Sequence, residues 1–158
     1  MKLYEFFIGD IGMSKKALTL AYWLTNLFAL ALIACTVTLP WFVTWYVETK
    51  GRSQSLPAII MVTCYPCVPF AAGVLLYLRR IIKNVAKDML FHEANVVCFK
   101  RIAFFCMMIS IITLIAGRFY VPFLIMGISF GFFAFLVFVI KTVYAEISNK
   151  IDKNVDKQ

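Results

Sequence analysis

The sequence predicts an all-α, membrane-embedded four-helix bundle with a basic helical hairpin between its second and third spans. Three features lead there. Hydrophobic residues make up 63% of the 158-residue chain, against roughly 45–50% in soluble domains. Charged residues make up 15%, against about 25%. Four long stretches contain no Lys, Arg, Asp or Glu. A soluble globule of this size cannot hide that much apolar surface, sixteen Phe included, so lipid is the solvent for most of the chain. The same figures exclude a disordered chain, a coiled coil and a secreted disulfide scaffold. The chain reads as one integral membrane domain, 1–158.

The charge-free stretches are Ala17–Val47, Ser53–Leu78, Ile102–Gly117 and Phe119–Ile140. About 20 residues of helix cross the roughly 30 Å hydrocarbon core. The first stretch is too long for one upright crossing. Its aromatics trim it, with Tyr22 and Trp23 at one interface and Trp41, Trp45 and Tyr46 at the other. The third is short, and Lys100, Arg101 and Arg118 extend it by snorkelling. The spans then fall at about 22–46, 57–78, 98–117 and 120–140, followed by a polar tail, 141–158. Between the last two spans only a tight turn near Gly117–Pro122 is left. The opening segment carries Glu5 and Asp10 and lacks a small-residue cleavage site, so it does not read as a cleavable signal. Leu3, Phe6, Phe7, Ile8 and Ile11 fit a short interfacial helix, and a frayed tail fits equally.

Positive charge sets the expected orientation. Thirteen of the sixteen Lys and Arg fall in the termini and the loop between spans two and three, and three fall on the other side (Lys50, Arg52 and Arg118). Both termini are therefore expected in the cytoplasm, facing the anionic inner leaflet as the first partner. The formal net charge of +8 is spent on that surface, and no direct nucleic-acid partner is expected.

No ionisable group lies deep in any span, which weakens the reading as an ion-coupled carrier. His92 has no Cys or Asp ligand pattern beside it, so it does not read as a zinc site. No cofactor is expected. Pro66 and Pro69 in span two each remove a helical donor, freeing the carbonyls of Val62 and Tyr65, and predict a kink there. Cys64-Tyr65-Pro66-Cys67 has the spacing of a redox pair. With Met61, the two thiols also fit a soft-metal site. The plainer account is that cysteine packs well between membrane helices. In span four, Gly127 and Gly131 are four apart and fit close helix packing, with homo-oligomerisation a weaker option.

The polar segment 78–103 has Ile81, Ile82, Val85 and Met89 at helical spacing, with Arg79, Arg80, Lys83 and Lys87 between them. It continues span two as a basic amphipathic helix. After Phe91 a second helix begins and runs through Lys100 and Arg101 into span three. Asn84 and Asn95 are placed to hydrogen-bond the reversing turn, with Glu93 in the first helical turn, where negative charge is favoured. The order Leu78, Arg79, Ile81, Lys83, Asn84, Val85, Lys87, Phe91, Glu93, Asn95, Val96, Lys100, Arg101, Ile102 resembles the loop of domain-of-unknown-function family 2975, small four-span bacterial membrane proteins. Ala94 between Glu93 and Asn95, and a lysine-bearing tail with Asp152 and Asp156, depart from the family pattern. The resemblance implies a bacterial inner-membrane protein, in many genomes encoded beside a small helix-turn-helix regulator.

Three functional expectations result. The first is a non-enzymatic multi-pass protein acting through contacts at its cytoplasmic loop, in a regulatory or immunity-type role. The second is a thiol-redox or soft-metal membrane protein using Cys64, Cys67 and Met61. The third is a small permease or channel subunit, oligomeric because four spans leave little room for a pore.

Overall fold

The computed structural model describes residues 15–50, 56–86 and 93–155, with side chains over 18–49, 56–86 and 94–147. The expected interfacial helix at the N-terminus, Phe91 and His92 lie outside them. Four helices follow one another: α1, Lys15–Lys50; α2, Leu56–Val85; α3, Glu93–Gly117; and α4, Val121–Val155. All four are long and apolar enough to cross a bilayer. In lipid every backbone donor and acceptor must find its partner inside the segment, and the α-helix does this for a single run of chain. Exposed hydroxyls follow the same rule. Thr38, Thr44, Ser129 and Thr142 each donate to the carbonyl four residues back.

The helices outrun the charge-free stretches. α1 has 36 residues, about 54 Å at the helical rise, and Pro40 sits inside it. α2 runs on through the basic residues to Val85, unbroken across Pro66 and Pro69. Thr63 does not serve the carbonyls that these prolines free, because its hydroxyl donates to Ile59 O at 2.7 Å. α3 starts at Glu93, and α4 carries the polar tail as helix to Val155.

Close backbone approach joins consecutive helices. α1 meets α2, α2 meets α3, and α3 meets α4 most extensively, and among the described helices no other pair comes within 8 Å at Cα. The tightest seam is therefore α3–α4. Cys98, Ile102, Cys106, Ile109 and Ala116 of α3 are buried, as are Phe123, Ala134 and Val137 of α4. They recur at intervals of three, four, seven or eleven residues, the spacing of one helix face. Val74, Tyr77 and Ile81 of α2 pack against this core.

Gly127 and Gly131 make the seam close. A Cβ at Gly127 would lie 2.7 Å from Leu114 Cγ and 2.9 Å from its backbone N, and one at Gly131 would lie 2.9 Å from Ser110 Oγ. Ser110 uses that proximity to donate to Gly127 O at 2.7 Å. The two glycines thus serve packing within the chain. The following turn is equally tight. Phe119 N donates to Ala116 O at 2.9 Å, and Phe123 N to Tyr120 O at 3.0 Å. Pro122 sits in the first turn of α4, where a missing donor costs nothing.

α1 and α2 face outward far more than the other pair. In their most apolar windows 6% of each is buried, against 33% for α3 and 22% for α4. Trp23, Trp41 and Trp45 are exposed toward the two ends of α1, where amphipathic rings favour the headgroup level.

Candidate functional site

Two places in the bundle gather residues with chemistry beyond packing. The first is the basic end, where α2 leaves and α3 returns. Asn95, in the first turn of α3, is fully buried. Its Oδ1 accepts from Asn84 Nδ2 of α2 at 2.7 Å, and its Nδ2 donates to Tyr144 OH of α4 at 3.5 Å. The Tyr144 ring lies 5.6 Å from that of Phe99. The two asparagines therefore bond each other across two helices, and the reversing turn they were expected to serve lies outside the described residues. A buried amide left without partners costs about 1–3 kcal/mol, so this arrangement fixes the register of three helices at the basic end.

Beside it, Arg79 of α2 donates through Nη2 to Tyr22 OH of α1 and lies 5.0 Å from the centre of the same ring. Its Nε is buried and has no acceptor. Around this frame Leu78, Arg80, Lys83, Lys100 and Arg101 are exposed, while Val85 is half-buried. Glu93 opens α3. The structure thus brings Asn84 and Asn95 into contact and arrays the cations outside them.

The second place is a cavity of about 560 Å³ walled by all four helices. It exists because α1 does not approach α3 or α4 along their backbones. Phe28, Leu32 and Leu39 of α1 face Phe123, Phe130 and Phe133 of α4, with α2 and α3 forming the floor. Its threonine protons are already used. Thr36 donates to Leu32 O at 2.7 Å, Thr63 to Ile59 O, and Thr113 to Ile109 O at 2.8 Å. At one end Tyr46 OH of α1 meets Tyr120 OH at 3.3 Å, and the Tyr120 and Phe123 rings lie edge to face at 5.6 Å.

Four of the five cysteines, Cys35, Cys64, Cys67 and Cys106, line this cavity. All five are free thiols. Met61 is half-buried on α2 and is not part of the lining, so it does not join Cys64 and Cys67 there. Among the described residues no three His, Cys, Asp or Glu converge as metal ligands. Pro66 and Pro69 face outward on the opposite side of α2.

Sequence reasoning missed the partners supplied by other helices. Tyr144, Tyr120 and Ser110 carry no local signal of their roles. For Tyr22, its place at one interface and Arg79 at the same level were the available clue.

Four apolar helices of spanning length define a multi-pass helical membrane protein. Compared with protein-family models, curated proteins and solved structures, the chain matches none.

Proposed function

We infer that this is a bacterial inner-membrane protein with both termini and the α2–α3 hairpin in the cytoplasm, acting without chemistry of its own by contact with a cytoplasmic protein. The observation that carries the reading is the basic end. Arg80, Lys83, Lys100 and Arg101 are exposed on two helices whose ends are tied by the Asn84–Asn95 hydrogen bond. Positive charge that only sets topology needs no such frame. A fixed frame gives the charges a constant spacing, which an acidic protein surface can match. The charge asymmetry across the spans supports the orientation. The loop's likeness to domain-of-unknown-function family 2975 supports the bacterial setting and a small helix-turn-helix regulator as partner, and an immunity-type role is the other form of the same reading.

The test is co-purification of the full chain, in mild detergent, with the product of a neighbouring helix-turn-helix gene. Exchanging Arg80, Lys83, Lys100 and Arg101 for Ser should release the partner while the protein stays monodisperse. Retention at the parent level rejects the hairpin as the working surface.

The thiol reading draws its support from Cys64 and Cys67 sharing one cavity wall. Its metal form has less support, since Met61 does not line that wall with the two thiols. The permease reading is weakened by the cavity itself, whose lining is almost wholly apolar and whose threonine protons are already donated to helix carbonyls.

A further inference from the structure

We propose that the four-helix cavity is a binding site for one anionic-headed lipid, its tail lying between α1 and α4 and its head at Arg79. This goes beyond the protein-contact reading and does not depend on it.

The volume, about 560 Å³, lies within the roughly 300–1,000 Å³ range of ligand sites. On α2 the lining extends from Thr63 to Leu75, about 18 Å at the helical rise. That is somewhat more than half of the roughly 30 Å hydrocarbon core, the depth of one leaflet. The shape suits a chain rather than a compact solute. Three threonine hydroxyls in the wall donate to their own helix carbonyls, so the wall offers a ligand chiefly apolar contact. Because α1 stands off from α3 and α4, a tail can enter sideways from the bilayer.

The two ends of the cavity differ in charge. Beyond Leu39 and Phe123 of the lining, one end leads toward the neutral Tyr46–Tyr120 pair. At the other, Arg79 follows Leu75 by one helical turn, so it stands above the cavity on the same face. One nitrogen of its guanidinium is held by Tyr22, and Nε has no acceptor. Arg80 and Lys83 are exposed beside it. A carboxylate or phosphate head meets this cluster with charge-assisted hydrogen bonds, and a neutral head does not.

The experiment uses the full chain in nanodiscs of neutral lipid, titrated with photoreactive analogues carrying a diazirine in the tail. Three probes are used: a fatty acid, a phosphatidylglycerol and a phosphatidylcholine. The proposal expects saturable labelling at one equivalent per chain by the fatty acid, the phosphatidylglycerol or both. Whichever binds identifies the source of the head. Adducts should fall on cavity residues such as Phe28, Ala71 and Phe130. Ala71→Trp, or Ala31→Phe should the first fail to fold, fills the cavity and should remove this labelling. Arg79→Gln should weaken the anionic probe about fivefold, the effect of one basic residue near the surface, and leave the neutral probe unchanged. Non-saturating adducts spread over outward residues such as Leu20 and Leu30 would overturn the proposal. So would equal labelling by the neutral probe, or an anionic preference that survives Arg79→Gln.

Discussion

Arg79 and Tyr22 meet twice: the guanidinium donates a hydrogen bond to the tyrosine hydroxyl, and its carbon lies 5.0 Å from the centre of the same ring. The pair ties α1 to α2 at the basic end, just as the Tyr46–Tyr120 hydroxyl pair ties α1 to the α3–α4 turn at the other. Between these ties α1 is held away from α3 and α4.

Tyr22→Phe keeps the ring and removes the hydroxyl, while Tyr22→Leu removes both. The cation–ring contact alone is worth about 0.5–1 kcal/mol. Unfolding in mixed micelles should rank the parent above Tyr22→Phe, and Tyr22→Phe above Tyr22→Leu. Equal losses for the two substitutions would mean that the ring contributes nothing.

Asn84 and Asn95 should be energetically coupled. A cycle of Asn84→Ala, Asn95→Ala and the double variant is expected to give about 0.6 kcal/mol, with roughly 1.7 kcal/mol the upper end for hydrogen bonds between membrane helices. Asn95→Ala alone should cost more than Asn84→Ala alone, because Asn95 also bonds Tyr144.

Gly127→Val should drive α3 and α4 apart, since even a Cβ there meets the Leu114 backbone at 2.9 Å. Overpacking of this kind costs about 1–3 kcal/mol. Gly131→Ala should be milder, its Cβ meeting only the Ser110 side chain. Thermal unfolding of the detergent-solubilised protein measures both.

Replacing Cys64 and Cys67 together by Ser should leave copper tolerance and the in-cell thiol state of the other three cysteines at parent levels. A change in either measurement would move the thiol reading ahead of the protein-contact reading.

The class, the number of spans and the short turn after Gly117 were legible because composition and unbroken apolar runs report directly on the solvent around a helix. The basic run 79–85 was legible as a continuation of span two, because its apolar residues keep helical spacing, and α2 does reach Val85. The far end of α4 was less so: it continues through the polar tail to Val155, because helical bonding does not stop where the bilayer does. The close approach at Gly127 and Gly131 was readable as small residues four apart. Its partners Ser110 and Leu114 were not, since they belong to another helix. Asn84 and Asn95 were singled out, yet their mutual bond depends on how the two helices register. The cavity was invisible in sequence, because its walls are drawn from four segments and are as apolar as the surfaces that face lipid.

Since backbone contacts link each helix only to the next, every major interface can close as soon as the following segment leaves the translocation machinery. None waits for a distant part of the chain, which keeps contact order low and limits the time that half-built species persist. Among the described residues the Tyr46–Tyr120 bond, spanning 74 residues, is an exception. It can form only when the last hairpin is inserted, so a nascent chain arrested before that point would carry its first helix tethered on the Arg79 side and loose at the far one.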